Sequence, residues 1–103
     1  MTHSPESLST EVIVAALKAL ADPTRLELVR LLATQAKGNA LCVHALAHRL
    51  GVSQPAVSQH LTVLRHLDLV FIDRTGARTH YFLNQQRLNE LYAAVGQHLS
   101  VEP

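Results

Sequence analysis

Within the stretch "LCVHALAH", residues 41 to 48, Cys42, His44 and His48 are the side chains able to do chemistry. On a helix the two histidines, four residues apart, share one face with their Cβ atoms about 5 to 6 Å from each other. Cys42 lies just before that helix and can bend toward them. A thiolate with two imidazoles suits Zn(II) or another borderline ion, with a fourth position open to water or to a residue such as His3 from a second copy's flexible arm. Two other readings stay open. The histidines flank an apolar stripe, where amphipathic rings sit at the edge of a core, and a lone cysteine is commonly a small buried hydrophobe. Cys42 also has the chemistry of a redox or thiol-modification site.

The surroundings decide what the stretch belongs to. A chain of 103 residues makes one domain, read here as a single unit over 1–103 with a flexible arm at 1–7. The longest apolar run, "VIVAAL" at 12 to 17, falls short of the roughly 20 residues a membrane span needs, so no membrane partner and a cytoplasmic location are expected. One cysteine allows no intrachain disulfide. Net charge is only +1, but between Glu27 and Asp68 there is no carboxylate, while Arg30, Lys37, Arg49 and Arg65 fall there. Arg74, Arg78 and Arg87 follow, making the middle basic and both ends acidic, a balance compatible with a phosphate-facing surface.

Periodicity supplies the elements. Leu8, Val12, Ile13, Ala16, Leu17 and Leu20 recur at helical spacing. Asp22 and Pro23 then read as a helix start, since the carboxylate accepts an orphan N–H and proline lacks one. The helix they open carries Leu26, Leu28, Val29, Leu31 and Leu32, apolar over most of its circumference and expected to be buried; "QAKGN" ends it. Val43, Leu46, Ala47 and Leu50 give a short helix ending at Gly51. In "GVSQP" Ser53 caps the next helix, whose Val57, Leu61, Leu64 and Leu67 face inward. Short helix, tight turn and amphipathic helix make a helix-turn-helix over 43–67.

"LVFID" and "THYFL", joined by "RTGAR", read as a hairpin over 69–83. A last helix begins near Asn84, with Leu88, Leu91, Tyr92, Val95 and Leu99 as one stripe. The predicted fold is mainly α, of the α+β class: a winged helix-turn-helix with five helices and one β-hairpin wing. On the second motif helix the face opposite the core carries Gln54, Ser58, Thr62 and Arg65, with Gln59 further round and Ser53 at the cap. These side chains suit base edges and phosphates in a major groove. Arg74 and Arg78 in the hairpin loop stand where a wing meets phosphates or a minor groove. His60, on the apolar side of its helix, is expected to be a half-buried, hydrogen-bonded structural histidine.

Together "LADPTRLELVRLL", "LCVHALAHRLGVSQPAVSQHLTVLRHLDLV" and "RTGARTHYFL" resemble the arsenic-repressor (ArsR/SmtB) family of bacterial winged-helix repressors, from about Ile13 to Val95. The resemblance implies a homodimer through the first and last helices, here Leu8, Val12, Ile13, Leu88, Leu91, Tyr92, Val95 and Leu99. It also implies double-stranded operator DNA as partner and an inducer that releases it. Where arsenic and cadmium sensors often carry "CVC", this chain has Cys42, Val43 and His44. A three-thiolate arsenite site is therefore not expected, and no cofactor is certain, Zn(II) being the candidate. The family's Asp-x-His and His-x-x-Glu pattern on the last helix is absent, with His98 and Glu102 a faint echo. An ArsR-type regulator without a metal site, answering to thiol modification or an organic ligand, is the alternative, as is a winged-helix protein-interaction module. No Ser/His/Asp set, paired carboxylates or glycine-rich phosphate loop points to an enzyme.

Overall fold

The structure is a computed structural model describing residues 8–34, 41–74, 76 and 79–100. Helix α1 spans Thr10–Leu20 and is capped by Ser9, whose side chain accepts the Val12 N–H at 3.1 Å. Leu8 and Ile13 flank that cap at the two positions of a hydrophobic staple, and both enter the core. Helix α2, Pro23–Thr34, starts as its sequence requires: Asp22 Oδ1 accepts the Arg25 N–H at 2.9 Å, and Pro23 occupies the first helical position. Leu28, Val29 and Leu32 of α2 are buried.

Leu26 corrects the expectation that α2 is buried around most of its circumference, because it is 57% exposed. The helix is covered by other elements of the chain on one side. Leu26 precedes Leu28 by two residues, about 200° around the axis, and so points away from them. The segment "QAKGN" lies outside the described residues.

Helix α3 covers Val43–Leu50 and stops at Gly51, whose φ of 67° is the left-handed conformation glycine adopts without steric cost. Ser53 then caps α4, Gln54–His66, accepting the Ala56 N–H at 3.2 Å. At the far end of α4, Leu69 N–H donates to Leu64 O and Asp68 N–H to Arg65 O. That pair of bonds is a Schellman closure, with Asp68 at φ 59° in the position usually given to glycine. Leu64 and Leu69, the apolar pair that accompanies such a closure, are both fully buried.

Strands β1, Val70–Asp73, and β2, His80–Leu83, pair antiparallel with Phe71 opposite Phe82 and Ile72 opposite Tyr81. Leu41 adds a bridge to Tyr81, whose N–H donates to its carbonyl at 3.1 Å, so the segment entering α3 is stitched to the wing. Helix α5, Gln85–Leu99, is capped by Asn84, which also donates its amide to Asp68 O at 2.8 Å. Among the described residues the result is five helices and one hairpin, the winged helix-turn-helix the pattern predicts.

The centre of the core is Leu28, Leu46, Val57, Leu61, Leu64 and Leu69. Truncating Leu64→Ala should cost about 2 to 5 kcal/mol of unfolding free energy, the range for a buried leucine. Leu26→Ala should change it by less than about 0.5 kcal/mol, as for an exposed position. Urea denaturation of both variants checks this, and equal losses at the two positions would contradict the burial assigned to them.

Candidate nucleic-acid interface

The buried face of α4, Val57, Leu61 and Leu64, forces its other face outward. Gln54, Ser58, Gln59, Thr62, Arg65 and His66 are all exposed. Gln54, Ser58, Thr62 and Arg65 are spaced 4, 4 and 3 residues apart and so line one side of the helix. Not all of their polar atoms face the solvent unengaged. Thr62 Oγ1 donates to Ser58 O at 2.9 Å, leaving its lone pairs to accept. Ser53 Oγ is held by the cap, so its hydroxyl proton is what it can offer a phosphate. Gln54 Nε2 lies 3.0 Å from His44 Nδ1, which orients the amide from α3.

Arg65 and Arg74 are exposed, and neither has a carboxylate partner among the described residues. Arg30 pairs instead with Glu27 and Arg87 with Glu90. Arg74 follows β1 directly, at the base of the hairpin loop where Gly76 takes φ 84°. Arg78 lies outside the described residues.

Behind that exposed face, His60 is half-buried and its Nδ1 lies 3.1 Å from Arg25 Nη1, the structural role expected of it. Arg25 Nε also donates to Ala19 O at 2.6 Å. Asp22 completes the group. Its carboxyl is held below the ordinary carboxylate value chiefly by the hydrogen bond from the Arg25 N–H, with the charges of Arg25 and His60 acting in the same direction.

The side chains proposed for metal are not drawn into one site. Cys42 occupies the extended N-cap of α3, half-buried, and with Val43, His44, Gln54 and Thr79 lines an open cleft of about 450 Å³ on the wing side. His48, one helical turn beyond His44, faces a second cleft of about 400 Å³ with His44, Ala47 and Gly51. Among the described residues no three His, Cys, Asp or Glu side chains converge as ligands. Cys42 sits before the helix begins, so helical spacing does not govern where its thiol points; His3 and Glu102 lie outside the described residues.

The expected dimer stripe divides in two. Leu8, Ile13 and Leu91 are buried in the chain's own core, and Val12, Leu88 and Val95 pack half-buried against it. Tyr92 and Leu99 are 84% and 77% exposed. Val14 and Leu17 on α1, outside the expected set, are exposed too. In "VIVAAL" α1 is apolar nearly all round, so its periodicity does not distinguish an inward face from an outward one.

A short helix, tight turn, amphipathic second helix and hairpin, with polar side chains displayed on that second helix, define a winged helix-turn-helix of the DNA-binding type. The family described as bacterial regulatory protein, arsR family, matches residues 22–70. Over 81 residues the chain is 43% identical to the transcriptional repressor SmtB homolog of Synechocystis sp., a match covering 79% of this chain and 58% of that protein. Over 86 residues it is 37% identical to the transcriptional regulator NmtR of Mycobacterium tuberculosis, covering 84% of this chain and 68% of that one. The solved structure of NolR from Sinorhizobium fredii superimposes with a TM-score of 0.64 at 30% identity, covering 99% of this chain and 100% of that one. HlyU from Vibrio cholerae gives 0.66 at 30% identity, covering 87% and 94%. The chain belongs to the ArsR family and is a helix-turn-helix transcriptional regulator. Its family is one of regulators and not of enzymes. No described helix is long and apolar enough to cross a membrane.

The depressed Asp22 carboxyl has a pH consequence. Its contribution to stability is complete above the unfolded carboxylate value and is lost as the pH falls through the lower folded value. Asp22→Asn keeps an oxygen acceptor for the cap but does not titrate. Urea midpoints measured down an acid series should therefore fall more steeply for wild type than for Asp22→Asn; parallel curves would remove Asp22 from the acid response.

Proposed function

We propose that this chain is a homodimeric transcriptional repressor that places α4 of each protomer in successive major grooves of a pseudo-palindromic operator and is released by an inducer. The observation that carries the proposal is the outer face of α4. Gln54, Ser58, Thr62 and Arg65 stand in water because the opposite face is locked into the core. A glutamine amide can pair bidentately with adenine, arginine with guanine or phosphate, and the hydroxyls serve either. Arg74, exposed at the base of the wing, supports phosphate contact as its role in this reading. A protein-interaction module would instead display an apolar or acidic face there.

Support for the dimer comes from Val14, Leu17, Tyr92 and Leu99, exposed apolar side chains on α1 and α5, two helices that touch each other. Apolar surface of this kind favours a symmetric partner. The inducer is proposed to act at the start of α3, because the cleft holding Cys42 also contains Gln54 of the reading helix. Thiol modification or a small organic ligand fits that cleft as it stands. Zn(II) is the second reading, favoured by Cys42 and His44 sharing the cleft. Two donors there and His48 in the neighbouring cleft fall short of a closed four-ligand zinc site, so metal binding would need a further ligand.

Arg65→Ala and Arg74→Ala should each weaken operator binding and reduce the slope of log affinity against log salt by about 1. Slopes and affinities equal to wild type would exclude the proposed phosphate-facing surface. Leu99→Glu, at an exposed position, should leave a folded monomer by sedimentation and abolish operator binding; a persistent dimer would place the interface elsewhere. Titrating the reduced protein with Zn(II) separates the inducers. Stoichiometric binding that weakens DNA affinity and is lost in Cys42→Ser supports metal, whereas no binding with DNA affinity intact leaves thiol or organic chemistry.

A further inference from the structure

We propose that Arg25 and His60 are positioning residues for DNA reading: from the α1–α2 junction the guanidinium holds the recognition helix through His60 Nδ1, and does so only while His60 is neutral. The proposal rests on α4 being the DNA-reading helix. Arginine carries donors only and stays charged throughout the accessible pH range. The 3.1 Å contact therefore makes His60 Nδ1 the acceptor and places the proton of the neutral ring on Nε2.

Arg25 gathers three helices at one side chain. Its Nε donates to Ala19 O in the last turn of α1, its own backbone belongs to α2, and its Nη1 reaches α4. The rest of the inner face of α4 is Val57, Leu61 and Leu64, whose contacts set how deeply the helix sits but have little directionality. A hydrogen bond does have direction. His60 follows Ser58 by two residues, on the far side of the helix, so fixing His60 fixes the angle at which Ser58, Thr62 and Arg65 meet a groove.

Protonation converts the contact. An imidazolium donates from both nitrogens, so the acceptor disappears and a second positive charge stands against the guanidinium. The charged groups facing His60 are Arg25, from α2, and Asp22, from the turn before it. Charged His60 is thus repelled by one and attracted by the other, and in either case the acceptor that gave the bond from Arg25 its direction is gone. The result is an α4 released from its angle as pH falls. His44, His48 and His66 are exposed on α3 and α4, where any positive charge would favour DNA binding. The His60 effect has the opposite sign.

The test compares wild type with His60→Asn, whose Oδ1 replaces Nδ1 as a non-titrating acceptor, and with His60→Leu, which has none. Affinity is measured for a labelled duplex selected by the wild-type protein from a random library, across the range in which imidazoles gain a proton. At the alkaline end His60→Asn should bind as wild type and His60→Leu about tenfold more weakly, the scale of a lost charge-assisted hydrogen bond. On acidification wild type should lose about tenfold relative to His60→Asn. A constant ratio between those two at all pH values overturns the proposal, as does wild-type affinity in His60→Leu. Imidazole ¹⁵N spectra of the free protein give a readout independent of DNA and of the stability of His60→Leu. A dominant Nε2–H tautomer of His60 that is lost in Arg25→Ala supports the bond, and a mixed tautomer in wild type overturns it. Failure to select any duplex while that tautomer is present would instead overturn the operator reading, and the positioning role with it.

Discussion

The exposed polar face of α4 depends on the burial of the opposite face of that helix. Val57, Leu61 and Leu64 meet Leu28 of α2 and Leu46 of α3 in a core with almost no solvent contact. A helix of 13 residues cannot bury both sides in so small a domain, so committing that face leaves Gln54, Ser58, Thr62 and Arg65 in water. The chemistry displayed on the outer face of α4 is in this sense set by hydrophobic burial. Polar side chains on an unanchored helix would have no defined geometry relative to a groove.

Directional bonds at the ends of α4 refine what burial fixes coarsely. Ser53 and Gly51 set the turn into the helix, and the closure through Asp68 and Leu69 sets the exit. Asn84 then ties that exit to the start of α5, its N–H donating to Leu69 O and its side chain to Asp68 O. Helices α4 and α5 consequently share one joint. At the other end, the bridge from Leu41 to Tyr81 links the entry to α3 with the wing. The cleft holding Cys42 is lined by Gln54 of α4 and by Thr79 before β2, so an occupant would press on α4 and on the wing together.

The exposed apolar side chains of α1 and α5 have a different character from the core beneath them. Ile13 and Leu91 hold each helix to its own protomer, while Leu17, Tyr92 and Leu99 look outward. Two apolar faces on one helix serve two layers of organisation, and only the inner one is satisfied within a single chain. Because the outer face lies on helices joined to the helix-turn-helix, a dimer built on it would set the separation of two copies of α4.

Much of this architecture is legible in the sequence because it is local. Helical spacing, the Asp22–Pro23 start, the Ser53 cap and the left-handed φ of Gly51 and Gly76 are decided within a few residues of themselves, and each forms as its residue types require. The half-burial of His60 follows from the same periodicity. Tertiary structure alone decided which apolar stripe faces which neighbour: Leu26 points outward, while Leu8, Ile13 and Leu91 turn into the protomer core. It also separated His48 from the Cys42 cleft and brought Arg25 to His60 across 35 positions of chain. The physical reason is that spacing reports which side chains share a face, whereas the partner covering that face comes from a distant element and depends on how the whole core closes.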